Sequence, residues 1–186
     1  MSWEPDRRRR SIRLKGYDYT RPGAYFVTLC AHERACLFGA IVDGAMRLNG
    51  YGEVVREEWL RTAALHSHVE LDAFVVMPNH MHGIIIITGD TVGARCIVPL
   101  PPPQTESFGK PVPGSIPTLI RLFKAAATRR INHLRGTPGA PVWQRNYYEH
   151  IVRSEDGLRR IREYISTNPI RWDDDPENPA RRVAWP

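Results

Sequence analysis

The spacing of apolar and polar positions changes repeatedly along the chain, and each change marks a predicted element. Tyr25-Phe-Val-Thr-Leu-Cys30 concentrates aromatic and β-branched residues and predicts a first core strand. Leu37 to Val42, the dipeptide Asp43-Gly44 and Ala45 to Leu48 have the form of a β-hairpin about a D-G turn. Asn49 is placed to cap a helix through about Ala64, in which Val54, Val55, Trp59 and Leu60 recur near helical spacing. Two consecutive strands are expected next, Val69 to Met77 and His80 to Thr88, joined at Pro78-Asn79. The run Ile84-Ile85-Ile86-Ile87 is apolar on both sides of the pleat, as a central strand covered on both faces should be.

Residues 89–114 are dense in proline and glycine, with Pro-Leu-Pro-Pro-Pro at 99–103, and predict a long exposed loop. Ser115 is then expected to cap a second helix through about Leu134. Leu119, Leu122, Phe123, Ala126 and Ile131 would face the core, and Arg121, Lys124, Arg129 and Arg130 the other side. Gly136 to Pro141 breaks that helix, and Val142 to Val152 predicts a last strand containing Trp143, Tyr147 and Tyr148. Ser154-Glu-Asp opens a third helix, which runs to about Thr167 and is halted by Pro169. These divisions give a basic arm at 1–22, one domain at 23–172 and a polar tail at 173–186. The interleaving of strands and helices suits an α+β fold, an antiparallel ferredoxin-like or RRM-like sheet with packed helices.

Length and composition narrow the classes. At 186 residues, 42% hydrophobic and 25% charged, the chain suits one globular domain rather than a disordered polymer. A formal charge of +6 points to a polyanionic partner, with nucleic acid ahead of a membrane surface. No stretch reaches the ~18 apolar residues that span a bilayer, and MSWEPDRRRR lacks the apolar centre of a secretory signal. Cys30, Cys36 and Cys96 form no C-x-x-C pair, so a reducing, cytoplasmic setting is expected. The run Arg7 to Arg10 reads either as an arm along phosphates or as a solvated tail.

The candidate chemistry lies in two places. His80-Met81-His82 heads the isoleucine strand, and residues i and i+2 of a strand share a face, so both imidazoles can meet one divalent ion. In the third helix, Tyr164 and Asn168 stand four residues apart and project from one face. An amide oxygen is a hard ligand suited to Mg²⁺ or Mn²⁺. A phenol with an ordinary pKa of ~10 needs activation before it can act as a nucleophile. The bland readings are a satisfied pair of strand-end histidines, a Tyr164 packed in the core and an Asn168 that merely caps the helix.

Three blocks, taken together and in order, carry a resemblance. Val75-Val-Met-Pro-Asn-His-Met-His-Gly-Ile-Ile85 resembles the histidine segment of the REP-associated tyrosine transposases and their small insertion-sequence relatives, the single-tyrosine HUH enzymes. Val142-Trp-Gln-Arg-Asn-Tyr-Tyr-Glu-His-Ile-Val-Arg153 is similar to the segment before the catalytic helix. Arg162-Glu-Tyr-Ile-Ser-Thr-Asn-Pro169 is similar to the helix's Tyr-Ile-x-x-Asn-Pro ending.

The resemblance implies an HUH endonuclease fold with His80, His82 and Asn168 as ligands of Mg²⁺ or Mn²⁺. It implies that Tyr164 attacks a phosphate of single-stranded or hairpin DNA, leaving a 5′-phosphotyrosine link and a free 3′-hydroxyl. Tyr147 and Tyr148 are rival nucleophiles, or else stack on bases or on the core. Arg8, Arg9, Arg10, Lys124, Arg129, Arg130 and Arg145 are the candidate phosphate contacts, in a monomer or a homodimer. The alternative is a noncatalytic nucleic-acid-binding module on the same fold.

Overall fold

The computed structural model describes residues 17–89 and 112–182. Arg8, Arg9 and Arg10 and most of the Pro-rich loop therefore lie outside the described residues. Among the described residues, six strands and three α-helices follow in the order β1 (Gly23–Cys30), β2 (Gly39–Val42), β3 (Ala45–Leu48), α1 (Gly50–Leu65), β4 (Val69–Val76), β5 (His80–Ile87), α2 (Ile116–Leu134), β6 (Tyr148–Val152) and α3 (Glu155–Thr167). β4, β5, β1 and β6 form one sheet in that spatial order, with every pairing antiparallel. Setting aside the β2–β3 hairpin, this is the βαββαβ arrangement of a ferredoxin-like fold, and α3 is an addition to it.

The alternation of side chains along each strand divides the sheet into two faces. Tyr25, Val27 and Leu29 of β1, with Met81 and Ile85 of β5, enter a large core built with Val55, Trp59, Leu119, Phe123 and Ile131 of α1 and α2. Phe26 and Ile84, one residue out of step, enter a smaller cluster with Leu158, Ile161 and Ile165 of α3. The isoleucine run is thus covered on both sides, as its composition predicts. Gly83 is needed in that run because a Cβ there would collide with the Trp59 indole.

Local chemistry explains where the elements begin and end. The Asn49 side chain accepts hydrogen bonds from the Tyr51 and Gly52 amides, and Ser154 accepts from Gly157, so α1 and α3 start where expected. Ser115 occupies the cap position of α2 but its hydroxyl donates to Val112 O instead of accepting from the helix. The last strand is shorter than the expected Val142 to Val152. Trp143 makes one isolated bridge to Ala31, and the carbonyls of Gln144 and Asn146 accept from Lys124 Nζ at 2.9 and 3.0 Å. With these carbonyls turned toward the Lys124 ammonium, regular pairing with β1 begins only at Tyr148.

The expected polar tail folds back onto the domain. After Thr167, 3-10 turns at Pro169–Asp174 and Pro179–Arg182 return the chain to the β4–β5 turn, and Asp175, Glu177 and Asn178 are buried there.

Candidate active site

The turn between β4 and β5 consists of Pro78 and Asn79, closed by Met77 N donating to His80 O at 2.8 Å. It places His80 and His82 on the α3 face of β5, both fully buried. Their Nε2 atoms approach to 3.1 Å. Two imidazole nitrogens this close either share one proton or direct two lone pairs at a common cation.

The surroundings decide which nitrogen of His80 carries hydrogen. Asn79 Nδ2 donates to Arg34 O at 3.1 Å and to Glu177 O at 2.8 Å, which fixes the orientation of its amide. Asn79 Oδ1 therefore faces His80 Nδ1, at 2.8 Å, as an acceptor. His80 Nδ1 must hold the proton, and the lone pair lies on Nε2, directed into the site. His82 Nδ1 meets Thr28 Oγ1 at 2.9 Å on the neighbouring strand, an arrangement that equally allows an Nδ1–H tautomer.

α3 supplies the phenol. Its apolar side, Leu158, Ile161 and Ile165, packs on Phe26 and Ile84, and Arg162 bonds both oxygens of Asp72 on β4 at 3.0 and 3.1 Å. That bond holds the Asp72 carboxyl below the usual range, with burial acting against it. Held in this way, α3 brings the Tyr164 hydroxyl to 3.2 Å from His82 Nε2 of the same chain. Its ring meets His82 at 5.1 Å between centroids.

Asn168, one turn further on, is 3% exposed and stands at the α3 C-cap. Its Nδ2 donates to Asp175 Oδ2 at 3.2 Å, while its Oδ1 is buried with no hydrogen-bond partner among the described residues. Asp175 Oδ2 in turn lies 3.8 Å from His80 Nε2. Ligand atoms of His80, His82 and Asp175 all fall within 4.8 Å of one another, so the three can hold a metal ion. The donor set fits a divalent cation: two imidazoles, a buried carboxylate and an amide oxygen that otherwise lacks a donor.

The other sequence candidates divide. Arg130 is engaged by Glu57 and Glu58 of α1 at 2.6 and 2.8 Å. Lys124, Arg129 and Arg145 line a groove of about 780 Å³ between α2 and the segment leading to β6. Burial pushes the Lys124 ammonium down to about 8. Tyr147 packs against the large core, with Lys124 Nζ 5.7 Å from its ring centroid, while Tyr148 packs against the α3 cluster.

Asp175, Asn79 and Thr28 were not foreseen from sequence. Asn79 had the signal of standing next to His80 in a tight turn. The acidic run Asp173-Asp-Asp175 after Trp172 is the trace of Asp175, and nothing marks Thr28 among strand residues.

Known proteins agree with this architecture. Comparison with protein families finds no matching family model. A Haemophilus influenzae protein that is itself uncharacterised is 42% identical over 167 residues, covering 90% of this chain and 91% of its own length. A REP-associated tyrosine transposase solved bound to a REP hairpin superposes with a TM-score of 0.52, at 19% identity, over 94% of this chain and 88% of that one.

The chain belongs to one family with the Haemophilus protein, and its fold is that of the REP-associated tyrosine transposase. The fold expectation is thereby met. No helix among the described residues is long and apolar enough to cross a membrane.

Proposed function

We propose that this protein cleaves and rejoins single-stranded DNA with Tyr164 as nucleophile, on substrates that include hairpins formed by palindromic repeats. The observation that carries the reading is the 3.2 Å approach of the Tyr164 hydroxyl to His82, at the point where His80, Asp175 and Asn168 also converge. A phenol packed only for stability has no need of that company. The hairpin substrate is suggested by the ligand of the transposase that shares the fold.

His80, His82 and Asp175 would hold Mg²⁺ or Mn²⁺, with Asn168 Oδ1 as a further ligand. Such a cation would withdraw charge from the scissile phosphate and make phosphorus a better electrophile. The chain's own groups do the rest. Asn79 and Thr28 fix the two imidazole rings so that neither must reorient. α3, clamped by Arg162 and Asp72, holds the phenol at the site. Tyr164 Oη forms a bond to phosphorus as the bond to the 3′-oxygen breaks. The phenol gives up its proton and the leaving 3′-oxygen takes one up, so that oxygen leaves as a hydroxyl and the tyrosine keeps the 5′-phosphate. Attack by another 3′-hydroxyl reverses the step and returns the phenol, so no external energy source is required.

The test uses a labelled single-stranded hairpin oligonucleotide with Mn²⁺ or Mg²⁺. The wild type should form a denaturation-resistant protein–DNA adduct that EDTA prevents. Tyr164→Phe should lower adduct formation by at least about a thousandfold while still binding the oligonucleotide. An adduct that persists in Tyr164→Phe would show the nucleophile to be another residue. Binding that is indifferent to metal, with no cleavage of any hairpin, would favour the noncatalytic module.

A further inference from the structure

Phe26 is the centre of an aromatic group that extends beyond the histidines and Tyr164. Its ring stacks on His82 at 5.4 Å, meets Tyr164 edge-on at 6.2 Å and meets Tyr148 edge-on at 6.3 Å. Tyr148 stands on β6 opposite Thr28, which stands opposite His82 on β5. With neighbouring strands ~4.8 Å apart, Tyr148 lies about 10 Å from His82 along one row across the sheet. His150 occupies the next row, opposite Phe26, and is exposed. β6 is an edge strand, whereas α3 is tied to the opposite edge through Arg162 and Asp72 and packs on Ala73 and Val75 of β4. The helix thus covers the β4 side, and the same face stays open at His150.

We propose that Tyr148 and His150 form a platform for the single-stranded DNA next to the cleaved phosphate, with one base stacked on the Tyr148 ring and the His150 imidazole beside the following sugar-phosphate. This rests on the strand-cleaving reading above and names the binding surface that the reading lacks. The occupant follows from continuity: the row that holds His82 and Thr28 runs without interruption to Tyr148, about one nucleotide away. Tyr148 is half-buried and braced by Phe26, so a base stacking on it meets an aromatic face already held in place. Strand alternation also separates it from its neighbour. Tyr147 points to the other face and packs there, so the two tyrosines that the sequence leaves as equals have different roles.

The test measures binding to fluorescein-labelled dT20 and the fluorescence of 2-aminopurine placed at single positions along it. Tyr148→Leu keeps apolar packing on Phe26 but removes the ring. It should weaken dT20 binding about tenfold and abolish 2-aminopurine quenching at one position. Tyr148→Phe should retain both signals, and so should Tyr164→Phe. A folded Tyr148→Leu protein that binds and quenches like the wild type overturns the platform. If that variant does not fold, His150→Ala at the exposed position decides the matter: several-fold weaker dT20 binding supports the platform and unchanged binding overturns it. Adduct formation by the wild type together with indifference to Tyr148 would remove the platform alone. Quenching that depends on Tyr148, with no adduct, would remove the cleavage reading alone.

Discussion

Odd and even positions of β1 and β5 share one backbone and meet opposite surroundings. Tyr25, Val27, Leu29, Met81 and Ile85 enter an apolar core closed by α1 and α2. Thr28, His80 and His82 enter a polar site closed by α3 and by the returning chain at Asp175. The first face is a source of stability. The second holds two buried imidazoles, a buried carboxylate and, among the described residues, an amide oxygen without a hydrogen-bond donor, polar groups whose burial costs free energy that hydrogen bonds only partly offset. The site is tolerable because the opposite face of β1 and β5 buries so much apolar surface. Substitutions on the two faces should therefore fail in different ways.

The largest effect on stability should come from the apolar face. Trp59→Ala removes the indole that fills the space over Gly83 and packs edge-on against Phe123. Urea unfolding should show a loss of about 3–5 kcal/mol, and whatever protein remains folded should keep its Mn²⁺ affinity. A large loss of metal affinity in folded Trp59→Ala would mean that the two faces are not separable.

On the site face the expected pattern is reversed. Asn79→Ala frees the His80 ring from the acceptor that fixes its tautomer and releases Glu177 O, which holds the Asp175 segment in place. Mn²⁺ affinity, followed by paramagnetic resonance, should fall about 10- to 100-fold, with a much smaller change in melting temperature than Trp59→Ala produces. An unchanged affinity would show that His80 needs no such anchor.

The smallest effect concerns the clamp on α3. Asp72 titrates below the usual carboxylate range because Arg162 bonds its charged form. Its contribution to stability is complete above the unfolded pKa of about 3.9 and is lost as pH falls through the lowered folded value. The melting temperature of Asp72→Asn should lie slightly below wild type at pH 7, and the gap should close as pH drops toward 3. A gap that is constant with pH would assign the difference to packing rather than to charge.

Much of this division was legible in the sequence, and the exceptions have physical causes. The isoleucine run, the i, i+2 histidines and the Tyr164–Asn168 spacing are local patterns, and local periodicity is what a sequence exposes. The start of β6 is not legible in the sequence because the segment before it is held by Lys124, twenty or more positions away, which no period reports. Asp175 was hidden for the same reason. It belongs to an irregular segment whose burial depends on Asn79 reaching Glu177 O and on Arg34 pairing with Glu177, contacts made across most of the chain. Its acidic neighbours Asp173 and Asp174 are exposed, so composition gave no means of telling the three apart.

The most direct test of the central claim is to map the covalent adduct. After reaction with a hairpin oligonucleotide and Mn²⁺, nuclease and protease digestion followed by mass spectrometry should find a 5′-linked nucleotide on the peptide containing Tyr164, and on no other peptide. A nucleotide on the peptide containing Tyr147 and Tyr148, or recovery of cleaved DNA with no modified tyrosine, would contradict the assignment of the phenol beside His82 as the attacking group.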